Sequence, residues 1–265
     1  MLLPEYKPLR YAKAPVKLVI GQIQFPILLR FLEPGFVADF QEAMASSYPQ
    51  VGREQQMTFQ LSSEGMGPGP TETLFRFSDR FSGWSVILGE GSLTLEARAY
   101  SDVDELVKRF EQMTLVASET LGVRRRTRLG LRYVNEFRLP EATTLAAWKD
   151  SFRPEFLGFA GALFGESVTR MAQDVQLTRP DGRLAIRHGL LQGTTVVPPR
   201  PTEGLPMDSF YLLDLDYSDE REGELDVPAA LKQLREFNVF IYRFFRWTLS
   251  ERLHSTLEPL HERPA

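Results

Sequence analysis

The sequence contains no cysteine and very little histidine, and both absences exclude kinds of chemistry. Without thiols, the 265-residue chain can form no disulfide, thiolate zinc site, iron–sulfur cluster or cysteine nucleophile. The absence of cysteine is typical of a cytoplasmic protein. The three histidines, His188, His254 and His261, form no His-x-x-x-His pair. We expect them to be surface residues.

Long hydrophobic runs are also missing. The longest candidate, Val239–Leu249, contains Arg243 and Arg246, and a bilayer-spanning helix needs about 20 apolar residues. The N-terminus has no basic region followed by an apolar core, so we predict no signal peptide. The net charge of −4 does not favour general nucleic-acid binding. We expect a soluble, cytoplasmic protein without a membrane partner.

The common catalytic motifs are absent as well. The sequence has no P-loop, no Gly-x-Ser-x-Gly elbow and no Gly-x-Gly-x-x-Gly after a strand. Residues 64–70 are rich in glycine, but their prolines lack the N–H donors that a phosphate cradle needs. We interpret this stretch as a loop at a hairpin tip. No catalytic residue is assigned, and no cofactor is expected.

What is present is a mixture of the two hydrophobic periodicities, which predicts an α+β fold. The predicted strands are Val16–Phe25, Met57–Leu61, Leu74–Asp79, Trp84–Leu88, Ser92–Tyr100, Arg124–Phe137, Val168–Leu177, Leu184–Leu191 and Phe210–Tyr217. The predicted helices are Pro34–Ala45, Asp102–Leu121, Pro140–Phe152 with a broken continuation to Phe164, and Val227–Leu253. Thr194–Pro206 is predicted to be a loop.

The helix after Asp102 is the clearest of these elements. Asp102 suits the N-cap position, Glu105 three residues later suits a capping box, and Gly122 suits the end of the helix.

The order of elements predicts a tandem duplication. Residues 15–122 form a first β-α-β4-α unit, and residues 123–254 form a second β-α-β3-α unit with one strand fewer. Residues 1–14 are interpreted as an extended arm and residues 255–265 as a frayed tail. We expect curved antiparallel sheets, each covered by a long helix, with a topology similar to the TATA-box-binding protein or a helix-grip fold.

Four stretches carry a resemblance to a known family. They are Arg76-Phe77-Ser78-Asp79 with Trp84, Leu93-Thr94-Leu95-Glu96 with Tyr100, Arg128-Leu129-Gly130-Leu131-Arg132-Tyr133-Val134-Asn135, and Asp214-Leu215-Asp216-Tyr217. In order and spacing they resemble a sporadically distributed bacterial family of about this length that has no established activity. The patchy distribution of that family implies a setting in mobile elements, defence or toxin–antitoxin loci, and it implies no catalytic residues.

The predicted strand Arg124–Phe137 carries a row of arginines. Alternation places Arg126, Arg128 and Arg132 on one face around Gly130, which would let a ligand approach closely. Such a row could bind an anion or a nucleic-acid backbone, with Asn135 and Arg98 as further candidates. Alternatively, the arginines pair with Glu96, Glu136 or Asp216 on neighbouring strands.

Asp214 and Asp216 lie on one face of their strand. Two acids at this spacing can bind Mg²⁺, but they could equally pair with the arginines. We regard them as weak metal candidates.

The last predicted helix is aromatic nearly all round. Phe240, Arg243, Phe244 and Trp247 suit an interface with another protein or a second copy, although packing within the chain would also cover them.

Three functions follow from these features. The first is a non-enzymatic binding or accessory protein of a defence, toxin–antitoxin or mobile-element system that acts through protein–protein contacts. The second is nucleic-acid or nucleotide binding through the arginine row. The third is a metal-dependent enzyme that acts on a phosphorylated substrate.

Overall fold

The fold is mixed α and β, as the hydrophobic periodicity predicts. The computed structural model describes residues 3–33, 35–62, 65–139, 142–193, 195–197 and 208–260, with the backbone alone for residues 57–62 and 65–70. Its strands are β1 (Arg10–Tyr11), β2 (Val16–Gln24), β3 (Gln50–Ser62), β4 (Gly65–Ser78), β5 (Trp84–Gly89), β6 (Ser92–Ala97), β7 (Arg125–Arg126), β8 (Arg128–Phe137), β9 (Gln173–Arg179), β10 (Gly182–Gly193), β11 (Asp208–Asp219), β12 (Gly223–Glu224) and β13 (Pro259–Leu260). The helices are α1 (Ala38–Met44), α2 (Val103–Thr120), α3 (Pro154–Phe164), α4 (Val227–Thr248) and α5 (Glu251–Thr256).

Most of the strands belong to one large antiparallel sheet. Its nine strands follow the order β3-β4-β5-β6-β2-β8-β11-β10-β9. The meander β3 to β6 consists of antiparallel neighbours, and β6 then pairs with β2. Two small sheets join β1 to β13 and β7 to β12.

Contacts within the chain divide it into two compact units. Unit 1 contains residues 1–18, 132–217 and 236–265, and unit 2 contains residues 19–131 and 218–235. The boundary near residue 122 that the sequence suggests stays a prediction.

The core of unit 2 forms where α2 packs on β2 and the meander. The buried face of α2 includes Leu106, Phe110 and Met113. Phe110 lies so close to Gly21 on β2 that a Cβ there would come within 2.9 Å of its ring. A glycine at this position lets the helix approach the sheet closely.

The core of unit 1 is strongly aromatic. Trp148, Phe152 and Tyr211 are fully buried, and the rings of Phe152 and Tyr211 lie 4.3 Å apart. On α4, Phe237 stacks on Tyr217 of β11 at 4.3 Å. Aromatic pairs of this kind stabilise a core beyond the area that they bury.

The predicted helix Pro140–Phe152 is wrong. Within the described residues 142–152, only Leu145–Trp148 is helical, as a short 3-10 turn, whereas α3 (Pro154–Phe164) corresponds to the broken continuation that the sequence predicts. Pro154 suits the first turn of a helix, while the residue before a proline is driven to extended backbone, as Arg153 is with ψ of 140°. The helix predicted over Val227–Leu253 likewise ends at Thr248, and α5 starts anew after Ser250, whose hydroxyl accepts from the Leu253 N–H at 3.1 Å.

The glycine-rich stretch is not simply a loop, because β4 begins at Gly65. Residues 65–68 and 71–78 of β4 pair with β3, and residues 75–78 also pair with β5. Glu64 and the predicted loop Thr194–Pro206, apart from residues 195–197, lie outside the described residues.

The described residues near the two ends of the chain pair with each other. Tyr11 and Arg10 in the predicted arm pair with Pro259 and Leu260, and Leu257 is buried. The hydroxyl of Tyr242 on α4 accepts from the Leu9 N–H at 3.0 Å. The part of the predicted tail up to residue 260 is thereby ordered.

The predicted N-cap of α2 is confirmed, and it supports a test of stability. The Asp102 carboxylate accepts from the Glu105 N–H at 2.9 Å, and Gly122 ends the helix with φ of +72°. Asp102→Ala should lower the free energy of unfolding by about 1 kcal/mol, measured by urea titration. Glu111→Ala, an exposed change in the same helix, should stay within about 0.5 kcal/mol of wild type. Equal effects of the two changes would contradict the capping role.

Candidate functional site

The arginines of the predicted row are engaged with side chains of neighbouring strands. In unit 1, Arg132 on β8 donates both Nε and Nη2 to the two carboxylate oxygens of Asp214 on β11, each at 2.7 Å. The Asp214 side chain is only 5% exposed. Hydrogen bonding to Asp214 raises the pKa of the Arg132 guanidinium. This is a bidentate pair, the strongest geometry for arginine and carboxylate.

The ion pair continues across the sheet of unit 1. Arg187 on β10 reaches Asp214 at 3.6 Å and donates to Asp174 on β9 at 3.2 Å. Cations and anions therefore alternate from β8 through β11 and β10 to β9. These contacts are cross-strand ion pairs, and the carboxylate that hydrogen-bonds to Arg132 is Asp214, with the charge of Asp216 adding to the raised pKa of Arg132.

A second polar network lies in unit 2. Arg128 Nη1 donates to the side-chain amide oxygen of Gln22 at 2.9 Å, and the amide nitrogen of Gln22 donates to the Thr94 hydroxyl at 2.9 Å. The Arg128 guanidinium lies on Gly130, where an added Cβ would come within 2.5 Å of Nη1. Gly130 thus makes room for the side chain of Arg128, which lies two residues earlier on the same strand. The arginine fills the space in which we expected a ligand.

Arg126 belongs to a buried cluster around Asp219. The Asp219 side chain is 2% exposed and accepts from Arg126 Nη2 at 3.1 Å, from Gln233 at 2.8 Å, and from both the side chain and the N–H of Arg221. Burial alone would raise the pKa of Asp219, but hydrogen bonds from Arg221 and Gln233 lower it well below its usual range. The Nη1 of Arg126 is buried without a hydrogen-bond partner among the described residues.

The remaining candidates of the anion site lie apart from the row. Asn135 is buried and donates its amide to the Leu213 carbonyl oxygen at 3.1 Å, which gives it a role in joining β8 to β11. Arg98 follows β6 and is exposed. The carboxylate of Glu136 accepts from Arg138 and the Val196 N–H instead of from the row.

The weak metal candidates share this environment. Both oxygens of Asp214 already accept from a guanidinium group. Across the described ranges, no group of three or more histidine, aspartate or glutamate side chains lies close enough together to bind a metal ion.

The predicted interface residues of α4 contact other parts of unit 1. The Arg179 guanidinium lies 4.2 Å from the centre of the Phe240 ring, and Arg243 pairs with Glu5 at 3.1 Å. Phe244 is buried, with the rings of Phe156 and Trp247 at 6.4 and 5.8 Å. Trp247 is also held through its carbonyl oxygen, which accepts from Arg153 at 2.6 Å. Residues of β9, of the N-terminal segment and of α3 thus contact these side chains, of which Phe244 is buried and Phe240, Arg243 and Trp247 are partly exposed.

His188 was expected at the surface, and that prediction is wrong. Its side chain is 4% exposed, its Nδ1 lies 2.9 Å from the Tyr211 hydroxyl, and the Phe156 ring stacks on it at 4.0 Å. Burial lowers the pKa of His188 to about 4. Along β10, His188 alternates with Leu184 and Ile186, so the sequence places it on the same face of the strand as these two apolar residues. His254 contacts the Tyr11 hydroxyl at 3.2 Å, and His261 lies outside the described residues.

An apolar surface that the sequence analysis did not single out lies on α3. Phe159, Leu163 and Phe164 are 69%, 71% and 56% exposed, while Phe156, Leu157 and Ala160 on the same helix are buried. Glu155 is the only charged residue among the eleven residues of α3, whose helical backbone is interrupted at Gly158 (φ +63°, ψ −159°), so the three exposed apolar residues all follow the kink. The low charge of this stretch was the available signal, but the sequence predicts residues 153–164 only as a broken continuation of the helix before them.

The Arg132–Asp214 pair predicts a measurable coupling. Arg132→Ala leaves a buried carboxylate without its bidentate donor and should cost about 2 kcal/mol of unfolding free energy, less than for a fully buried pair because Arg132 is 35% exposed. The double variant Arg132→Met with Asp214→Leu should recover most of that loss. Arg170→Ala, an exposed change, is the control. If Arg132→Ala proves as neutral as this control, the pair is not structural.

The buried His188 predicts a loss of stability in mild acid. The folded chain keeps His188 neutral down to about pH 4, while in the unfolded chain its pKa returns to the ordinary histidine value of about 6.5. The unfolded state therefore binds the extra proton, and the free energy of unfolding should fall by up to about 3 kcal/mol as pH decreases between these values. His188→Phe should remove this component in chemical denaturation at a series of pH values, and His254→Gln should retain it. An unchanged pH dependence in His188→Phe would contradict the assignment.

No family model and no curated protein matches the chain. In the described part of the chain, no helix combines the length and the apolar character needed to span a membrane.

Proposed function

We propose that this protein is a non-enzymatic binding protein that acts through contact with another protein. The observation that carries the proposal is the apolar outer face of α3. The family resemblance suggests the setting, which is a bacterial defence, toxin–antitoxin or mobile-element system.

The outer face of α3 has the composition of a contact surface. Phe159 and Leu163 are one helical turn apart, and Phe164 lies beside Leu163, so large apolar groups point outward together. A helix that is apolar on its inner and outer faces is typically buried or part of an interface. Aromatic and large aliphatic side chains are also favoured anchors of protein interfaces.

The other candidate surfaces are better satisfied within the chain. The arginine row is joined to carboxylates and amides, and the predicted α4 interface residues contact the hairpin, the arm and α3. A partner that displaced these contacts would have to replace several charge-assisted hydrogen bonds. A partner on α3 would only have to exclude water.

The chemistry of α3 indicates the kind of partner. With no charge on its outer face, the helix offers nothing to an anionic ligand and much to an apolar groove. Recognition of an amphipathic helix in such a groove uses anchors at i and i+4, which is the spacing of Phe159 and Leu163. The expected partner is a protein with an apolar, uncharged groove.

The proposal can be tested by affinity capture with matched variants. The tagged chain is incubated with lysate of the organism that carries its gene, with and without nuclease, and bound proteins are identified by mass spectrometry. Binding of the captured protein is then measured with purified components. Phe159→Ser combined with Leu163→Ser should weaken binding by at least about tenfold, because interface anchors contribute about 2 kcal/mol or more each.

Phe81→Ser is the control, since Phe81 is 92% exposed and lies in the other unit. It should leave the affinity unchanged. A partner that binds the α3 double variant as tightly as wild type would refute the proposed surface, whatever its identity.

The second candidate, nucleic-acid binding through the arginine row, has less support, because Arg126, Arg128 and Arg132 already bond to side chains of the chain and the Nη1 of Arg126 is buried. In the same capture experiment, bound nucleic acid that is lost with nuclease, at high salt and in Arg126→Ala would support this function instead.

We also infer a tandem duplication with a topology similar to the TATA-box-binding protein or a helix-grip fold. The strand order supports it. Outward from β2 come β6, β5, β4 and β3, and outward from β8 come β11, β10 and β9. In each half a helix follows the first strand and another follows the last, and the second half has one strand fewer.

A further inference from the structure

The outer edge of β9 is an open strand position. Strand β9 ends the sheet order, and within the described residues no segment pairs with its outer side. In the other half of the sheet, β4 occupies the position that corresponds to β9, and β3 pairs with its outer side. The row of backbone N–H and C=O groups along β9 is therefore available to another strand.

The two ends of the sheet differ in how well they are protected. The edge strand β3 carries a register irregularity between Met57 and Phe59. Irregularities of this kind disrupt a regular edge and hinder pairing with another chain. In contrast, β9 pairs with β10 in continuous register from Arg179 to Gln173, and none of its seven residues is lysine or proline.

The register fixes which residues of β9 face outward. The Met171 N–H donates to the Leu190 carbonyl oxygen at 2.8 Å, in line with the β9–β10 register. Antiparallel partners alternate between pairs that exchange both hydrogen bonds and pairs that exchange none. The backbone groups of odd-numbered residues thus face β10, and those of Asp174, Gln176 and Thr178 face outward.

We propose that β9 pairs antiparallel with β9 of a second copy of this chain, with Gln176 on the two-fold axis. Gln176 then exchanges hydrogen bonds with Gln176 of the second copy, and Asp174 does so with Thr178 of the second copy. Each of these pairs forms two backbone hydrogen bonds. The open edge of β9 is thereby satisfied in both copies.

The side chains are self-complementary in this register. On the face away from Asp174, Val175 meets Leu177 of the second copy, and both residues are partly exposed in the single chain, at 43% and 36%. On the other face, Thr178 lies between Arg183 of β10 and Asp174 of the second copy. Because the threonine side chain is short, Asp174 of the second copy comes near the positive charge of Arg183. No like charges are opposed, which fits a two-fold contact between identical surfaces.

The oligomeric state of the full chain tests the proposal. Sedimentation analysis over a range of concentrations should show a monomer–dimer equilibrium. Gln176→Pro removes an outward N–H at the axis without removing a bond to β10, so this variant should be monomeric with an unchanged circular dichroism spectrum. Gln176→Ala keeps the N–H and should still form the dimer.

The absence of cysteine allows a second, independent measurement. In a pair that exchanges hydrogen bonds, the Cα atoms lie about 5.5 Å apart, so Gln176→Cys should form an intermolecular disulfide under mild oxidation. Thr178→Cys places the two sulfurs roughly 14 Å apart along the strands and should not.

Three results would overturn the inference: a monomeric wild type at every concentration, a dimer that survives Gln176→Pro, or equal cross-linking of the two cysteine variants. None of them depends on the proposed α3 partner. Phe159→Ser with Leu163→Ser should leave the dimer intact, so failure of one proposal is distinguishable from failure of the other.

Discussion

The alternation of side chains along β8 constrains the strands around it. Leu129 and Leu131 are completely buried on one face, and Arg128 and Arg132 occupy the opposite face. A partly buried guanidinium is stable only with hydrogen-bonded partners, because its desolvation otherwise costs several kcal/mol. The neighbouring strands must therefore carry acceptors opposite it. Gln22 on β2 and Asp214 on β11 meet this requirement.

The same requirement separates structural from functional polar groups. Asp214 on β11 and Asp174 on β9 are both negatively charged, and Arg187 between them contacts both carboxylates. Charges satisfied in this way have little left to offer a ligand, since a ligand must compete with bonds already made. Groups that the fold leaves unsatisfied are therefore better guides to function. The apolar outer face of α3 and the outer backbone groups of β9 are of this kind.

Local patterns predicted much of the fold, and long-range pairing explains most of what they missed. The cap at Asp102 and the two faces of β8 follow from neighbouring residues alone, so the sequence contains them. The partner of Arg132 lies 82 residues away, and periodicity gives no means of choosing Asp214 over Asp216. The helix misplaced at Pro140–Phe152 had a local cause, because the apolar period continued past Pro154 and the proline was not read as a helix start.

An unprotected edge strand is normally a liability, because regular pairing can continue from chain to chain. The geometry of this sheet gives a physical limit to such growth. A two-fold contact between identical strands uses the β9 edge of both copies at once, so it closes and leaves no second β9 edge. The edges that remain are those of β3, where the irregularity between Met57 and Phe59 interrupts the ladder. Different treatment of the two edges would thus allow the chain to pair once and then stop.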